Sequence, residues 1–200
     1  MEKTKSGELS TRVMVELAVL IAIVLLMSFT PLGYLNIGPL SITLLCIPVA
    51  VGAIHLGPKA GLVLGLVFGI TSFVQCFGLS AFGTLLFSVN PMATFIICVV
   101  TRALMGWLCG LIYVGLSHSP LPRPLSMFIA ALSAPVLNTV FFMSVLVLCF
   151  TPTLQNDFGM GSAVLPFLVS FVGINGVVEW ISGCIVGGSV AIALSRAFHD

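Results

Sequence analysis

The chain has 200 residues, of which 59% are apolar and 6% charged, with a mean hydropathy of +1.25 and a formal net charge of +1. Soluble globular domains carry about 25% charged residues, so this composition excludes that class and indicates a polytopic membrane protein. Because the net charge is close to zero, only the distribution of the charges along the chain is informative.

The first predicted membrane span is the apolar run at 13–29, whose one charge is Glu16. At 1.5 Å per residue it is roughly 26 Å long, close to the thickness of the bilayer hydrocarbon. The polar segment before it has no A-x-A cleavage site, so we expect this span to be retained. Ala18 and Ala22 lie four residues apart on one helix face, where they would leave a shallow groove for another helix.

Five further apolar runs predict five more spans, separated by segments rich in Gly and Pro. We place these spans at 40–56, 61–77, 92–116, 125–150 and 164–194. The predicted loops are 31–39, 78–91 and 152–163, and the partly apolar segment 78–91 is expected to lie against the mouth of the bundle. The predicted fold is therefore an all-α integral membrane protein, one compact bundle of six transmembrane helices over residues 1–200, with polar tails at 1–11 and 195–200.

The basic residues predict the orientation of the bundle. Six of the seven precede span one, follow span six, or lie between spans two and three or four and five: Lys3, Lys5, Arg12, Lys59, Arg123 and Arg196. The positive-inside rule makes that side cytoplasmic. Both the N and C termini are therefore predicted to be cytoplasmic, and the three predicted loops to face outward.

Small residues recur at intervals of four along several predicted spans, and such stripes let helix backbones approach closely in lipid. They are Gly57, Gly61, Gly65 and Gly69; Ser126, Ala130 and Ala134; Gly183, Gly187 and Ala191; and Gly106 with Gly110. We interpret these stripes as surfaces for packing within the bundle. Ala18 and Ala22 are instead a candidate surface for a partner, because the first helix of a small bundle is well placed to meet one.

The seventh basic residue, Arg102, lies in the fourth predicted span, roughly 22 Å from its cytoplasmic end. A charge at that depth is costly unless it is paired or faces water. Polar residues of the other spans share this height: Ser28, Thr43, Gln75, Asn138 and Glu179, with Asn175 close by.

This polar layer has two interpretations. Either Arg102 and Glu179 pair and hold two spans together, or the layer is the floor of an outward-facing pocket in which Arg102 and the amides contact a solute. The second interpretation explains why uncharged Asn138 and Gln75 share the level, which a lone ion pair does not need. An arginine there suits an anionic or carboxylate-bearing solute.

Nothing in the sequence indicates catalysis. The three histidines, His55, His118 and His199, fall near the predicted cytoplasmic face, away from the polar layer. The six cysteines lie inside apolar runs without CxxC or Cys/His spacing, so we predict no metal site and no disulfide framework. The chain also lacks a phosphate-binding loop and is not expected to hydrolyse ATP, to hold a cofactor or to bind nucleic acid.

Several stretches resemble the substrate-binding (S) components of energy-coupling factor (ECF) vitamin transporters, over nearly the whole chain. Residues 18–22, AVLIA, match the AxxxA pattern of the family's first helix. Residues 29–72, which begin FTPLGYLNIGPLSIT, look like the first loop and the next two spans of one subgroup. TRALMGWLCGLIY at 101–113 and LNT at 137–139 fit the same subgroup, which looks most like the pantothenate-specific S components.

The resemblance implies a protein of the bacterial cytoplasmic membrane that captures a vitamin, with pantothenate favoured, from outside the cell. It implies docking through Ala18 and Ala22 onto a transmembrane coupling subunit driven by two ATP-binding subunits, and release by toppling of the whole component in the bilayer. Loop 31–39 would help to close the pocket. The candidate solute contacts are Arg102, Asn138, Gln75, Asn175, Glu179, Asn36 and Tyr34.

Three alternatives stay open. S components for folate, riboflavin or cobalamin share the fold with little common sequence, so another vitamin could be the substrate. A stand-alone secondary transporter would use Glu179 for proton coupling. A membrane scaffold would use the polar layer only for structure, and no vitamin would stabilise it against unfolding.

Overall fold

The computed structural model describes residues 11–31, 33–37, 40–156 and 176–199, which form a helical bundle with one short hairpin. The elements are α1 (Thr11–Phe29), β1 (Tyr34–Ile37), β2 (Leu40–Thr43), α2 (Cys46–Leu56), α3 (Pro58–Gln75), α4 (Ala81–Val89), α5 (Pro91–Ser117), α6 (Arg123–Asn156) and α7 (residues 176–199). Within these described ranges, five helices are long and apolar enough to cross a bilayer: α1, α3, α5, α6 and α7. The apolar helix α2 has 11 residues and is only about 16 Å long.

The prediction of a membrane span at 40–56 is wrong at its start. Residues 40–43 form β2, which pairs antiparallel with β1 so that Tyr34 lies opposite Thr43 and Ile37 opposite Leu40. Hydrogen bonds between the two strands occupy the backbone N–H and C=O groups that would be hydrogen-bonded within the helix if this segment were helical. Strands β1 and β2 therefore form a hairpin at one end of the bundle, and α2 begins only at Cys46.

The helix boundaries differ from the predicted spans at four further places. The predicted break at 57–61 shrinks to Gly57, whose φ of 91° favours glycine, because Pro58 already occupies the first turn of α3. The predicted loop at 78–91 contains α4, whose first turn is capped by Ser80 Oγ, which accepts from Gly83 N at 3.2 Å. Residues 152–156 of the predicted third outer loop continue α6, and residues 195–199 of the predicted tail continue α7.

Helices α3 and α5 pack closely because glycines line both of them. A Cβ added to Gly61 would collide with the carbonyl oxygen of Gly106, and one added to Gly65 would collide with that of Arg102. On the other side of the bundle, a Cβ on Gly183 would lie 2.7 Å from Cγ of Pro135 in α6. The interpretation as surfaces for packing within the bundle is confirmed for Gly61, Gly65 and Gly183, whereas Gly57 lies between two helices and a Cβ there would meet no atom within 4 Å.

Contacts between helices bring the basic residues to one end of the bundle. Gly110, late in α5, packs against Pro58, so the end of α5 lies beside the start of α3. Nε2 of His55 lies 2.8 Å from the carbonyl oxygen of Ala191, so the ends of α2 and α7 also meet there. Helix α6 starts six residues after α5 ends. The described residues that share this basic end are Lys59, Arg123 and Arg196.

Candidate functional site

Arg102 is held by the backbone of its own helix. It lies two residues after a π-helical segment of α5, Ile96–Val100, and it is only 7% exposed. Nη1 donates to the carbonyl oxygens of Ile97 and Cys98, both at 3.1 Å. A π-helical turn disturbs the regular ladder of backbone hydrogen bonds, which makes carbonyl groups available to a side chain. Backbone groups therefore hold the guanidinium, and no acidic side chain of the described residues forms an ion pair with it.

An aromatic ring completes the surroundings of this guanidinium. Its central carbon lies 4.6 Å from the centroid of the Phe68 ring in α3, within the range of a cation–π contact. Phe68 was not among the predicted site residues, because a phenylalanine in an apolar run looks the same whether it packs or contacts a cation. Only the crossing of α3 and α5 distinguishes the two roles.

Two buried polar atoms at this level have no hydrogen-bond partner among the described residues: Nε of Arg102 and Oδ1 of Asn138. Asn138 lies on α6 and is 7% exposed. Its chain neighbour Leu137 packs against the apolar cluster that contains Phe68. A buried polar group without a partner costs about 1–3 kcal/mol, so a donor and an acceptor left open together need an explanation.

Glu179 of α7 binds the hairpin and does not bind Arg102. Its Oε1 accepts from the backbone N–H of Thr43, the last residue of β2, at 2.6 Å. The buried side chains of Arg102 and Glu179 form no ion pair with each other, and each is held by backbone groups. The direct pairing considered from the sequence is therefore not the arrangement in the structure.

Gln75 helps to join α1 to α3. Its Nε2 donates to the carbonyl oxygen of Ser28 at 2.6 Å, and Oγ of Ser28 lies 2.9 Å from Oγ1 of Thr71. One of the two polar groups of the Gln75 amide is thus engaged in helix packing. These bonds are polar contacts between α1 and α3.

The remaining predicted site residues are placed as follows. Tyr34 and Asn36 lie on β1, opposite Thr43 and Ser41 of β2. Asn175 falls outside the described residues. Trp180 follows Glu179 on α7, and its Nε1 lies 3.4 Å from Oγ1 of Thr139, the residue after Asn138. The hairpin, α6 and α7 thus meet around two of the predicted residues, Asn138 and Glu179.

The first helix presents an open face. Of the five long helices, α1 buries the smallest share of its apolar stretch, 11% against 56% for α5. Leu17, Leu20 and Ile21 pack against the core, whereas Ala18 and Ala22 are exposed. In a bilayer this exposed face meets either lipid or another membrane-embedded protein.

Two comparisons place the chain among known proteins. The family described as the substrate-specific component of ECF transporters matches residues 12–187, which extend from the start of α1 into α7. The pantothenic acid transporter PanT of Lactococcus lactis subsp. cremoris (strain MG1363) is 28% identical over 212 aligned positions that cover the whole of both chains. Both alignments include every candidate site residue named above.

Proposed function

The chain belongs to the substrate-specific components of ECF transporters, multi-pass proteins of the bacterial cytoplasmic membrane, and from this premise we propose that it captures pantothenate from outside the cell. A member of this family is a transporter subunit and not an enzyme. The family was predicted from the sequence, and that prediction is confirmed. The identity of the solute, the site residues and the coupling to ATP hydrolysis are our proposal.

The observation that carries the proposal is the pair of unpartnered polar atoms, Nε of Arg102 and Oδ1 of Asn138. Pantothenate offers a carboxylate, an amide and two hydroxyls. Its carboxylate would accept a charge-assisted hydrogen bond from the guanidinium of Arg102, and its hydroxyls or amide N–H would donate to Asn138. The solute would thus satisfy both atoms at once, which favours this ligand chemistry over a purely structural polar layer. The name of the relative PanT points to the same solute.

The hairpin supplies the cover in this proposal. Tyr34 and Asn36 lie on β1, and Glu179 holds the end of β2 through Thr43. Glu179, Gln75 and Asn175 would then contact the solute from the sides. Because an ionised carboxylate only accepts hydrogen bonds, Glu179 would meet a hydroxyl and not the carboxylate of pantothenate.

The orientation and the coupling follow from the two ends of the bundle and the open face of α1. We place the end that carries Lys59, Arg123 and Arg196 in the cytoplasm by the positive-inside rule, with both termini there and the hairpin outside. The hairpin and the short α2 together would make the second of six spans. Ala18 and Ala22 would dock onto a transmembrane coupling subunit that two ATP-binding subunits drive, and the whole component would topple to release its solute.

The test is the identification of the ligand. We expect pantothenate in the mass spectrum of small molecules that copurify with the detergent-solubilised chain. Added pantothenate, at a hundred times its Kd, should stabilise the protein by about 2.7 kcal/mol, and folate, riboflavin and cobalamin should not. Stabilisation by another of these vitamins would refute the specificity, and stabilisation by none would favour a scaffold. Uptake that persists without ATP-binding subunits would favour a secondary transporter.

A further inference from the structure

Cys76 and Cys98 lie thiol to thiol in the interior. Their Sγ atoms are 3.8 Å apart, and the side chains are only 4% and 5% exposed. Cys76 directly follows the last residue of α3, and Cys98 is the middle residue of the π-helical segment of α5. The Cys76 thiol also donates to the carbonyl oxygen of Ser72 at 3.4 Å, as the thiols of Cys109 and Cys184 donate to backbone carbonyl groups, and Cys149 is exposed.

We propose that Cys76 and Cys98 are a redox-active pair that closes to a disulfide when the protein meets a small organic disulfide. The Sγ atoms must approach from 3.8 Å to about 2.05 Å. Both cysteines stand where the backbone is not constrained by a regular α-helix, since one is in a turn and the other in a π-helical segment. A pair of this kind is distinct from a disulfide framework, because the fold is complete with both thiols reduced.

The position of the pair relative to the ends of the bundle favours this chemistry. Cys76 lies at the end of α3 opposite Lys59, which is the outer end in the orientation proposed above. Disulfides form and persist outside the cytoplasm, whereas the cytoplasm keeps thiols reduced. The location of the pair on the outer side rests on the orientation given under the proposed function. The formation of the disulfide itself does not depend on that orientation.

The reaction is a thiol–disulfide exchange in two steps. The thiolate of Cys98 attacks one sulfur of the reagent, the S–S bond of the reagent breaks, and one half leaves as a thiol after taking a proton. The thiolate of Cys76 then attacks the sulfur of Cys98 in this mixed disulfide, and the second half of the reagent leaves as a thiol. The two protein thiols together lose two electrons and two protons, and the reagent is reduced to two thiols.

The disulfide would constrain the structure in two ways. It would close residues 76–98 into a covalent loop that contains α4. It would also fix the end of α3 to the segment whose Cys98 carbonyl accepts a hydrogen bond from Arg102. Because a closed loop restrains the unfolded chain, the oxidised protein should have a higher Tm than the reduced protein.

The experiment treats the purified full chain with 2-hydroxyethyl disulfide, alkylates the remaining thiols under denaturing conditions and maps the peptides by mass spectrometry. We expect a crosslinked peptide pair that contains Cys76 and Cys98 and disappears with dithiothreitol, together with a raised Tm. Cys149, which is exposed, should form a mixed disulfide and so shows that the reagent is active.

The controls are single Cys→Ser substitutions, each of which replaces one sulfur atom with an oxygen atom. Cys98→Ser and Cys76→Ser should each abolish the crosslink and the rise in Tm, whereas Cys149→Ser should retain both. Each variant is first checked by size-exclusion chromatography. If Cys76 and Cys98 both stay free for alkylation while Cys149 has reacted, or if Cys98→Ser shows the same rise in Tm, the proposal is overturned.

Discussion

The backbone N–H of Thr43 donates to Oε1 of Glu179 at 2.6 Å, across 136 positions of the chain. Thr43 ends β2 and Glu179 lies on α7, so this one bond connects the hairpin to the last helix. The carboxyl group is buried, so loss of this bond would leave a buried polar group without its partner. Glu179 is therefore placed to control how firmly the hairpin is held against α7.

Replacement of Glu179 by alanine should release the hairpin. The N–H of Thr43 would lose its acceptor, at a cost of about 1.5–3 kcal/mol in the free energy of unfolding or of local opening. Hydrogen–deuterium exchange should become faster at residues 40–43 in Glu179→Ala, whereas Glu179→Gln keeps an acceptor oxygen and should stay close to the wild type. Equal exchange rates of these amides in all three proteins would contradict the role of Glu179 in holding the hairpin.

Replacement of Arg102 by alanine should remove most of the affinity for pantothenate while the protein still inserts into the membrane. The loss of charge-assisted hydrogen bonds worth about 1.5–3 kcal/mol weakens binding roughly 10- to 100-fold. Arg102→Lys keeps the positive charge but lacks the planar guanidinium with its paired N–H donors. Its Kd for pantothenate should lie between those of the wild type and Arg102→Ala. Isothermal titration calorimetry measures the Kd, with Arg196→Ala at the basic end as the unaffected control. If Arg102→Ala has the same Kd as the wild type, Arg102 does not bind the solute.

Replacement of Asn138 by leucine distinguishes a binding role from a structural one. Oδ1 of Asn138 is buried without a partner, so its removal should make the ligand-free protein more stable, by about 1 kcal/mol. Pantothenate should bind roughly tenfold more weakly to the same variant, because it has lost an acceptor. Thermal unfolding with and without pantothenate measures both effects. A structural residue would show the opposite result, with lower stability of the ligand-free protein.

Replacement of Gly65 by alanine should loosen the contact of α3 with α5. The added methyl group would collide with the backbone carbonyl of Arg102, which cannot move away as a flexible side chain could. Overpacking of this kind costs about 1–3 kcal/mol, and the Tm should fall. Gly115→Ala is the matched control, because no atom lies within 4 Å of a Cβ at Gly115, and its Tm should be equal or higher. A Tm lowered equally in both variants would point to a general effect of glycine replacement.

Replacement of both Ala18 and Ala22 by tryptophan should separate solute binding from docking. Both residues are exposed on α1, so the large rings would fill the open face without entering the core. We expect an unchanged Kd for pantothenate and no copurification with the coupling subunit. Ile181→Trp, at an exposed position of α7, should copurify normally. Normal copurification of the Ala18→Trp, Ala22→Trp double variant would place the docking surface elsewhere.

The sequence by itself determined the class of the protein, its family and most of its helices. These depend on composition, on runs of apolar residues and on short local patterns, all of which are read along the chain. It also predicted a common height for the polar residues of the spans, because the constant rise of a helix converts residue counts into depth. The stripes of small residues were understood for the same reason, since a period of four keeps them on one helix face.

The tertiary structure alone decided which groups meet. The hairpin was not predicted from the sequence. Its second strand, Leu40–Thr43, begins an apolar stretch that is equally typical of the start of a membrane-spanning helix. The partners of Arg102, Glu179 and Cys76 come from a π-helical segment, a strand end and another helix, respectively. The contacts of Glu179 and Cys76 join separate elements, and their distances depend on how the helices cross, which no local pattern encodes. Those of Arg102 are local, but they depend on a π-helical segment that the sequence analysis did not predict.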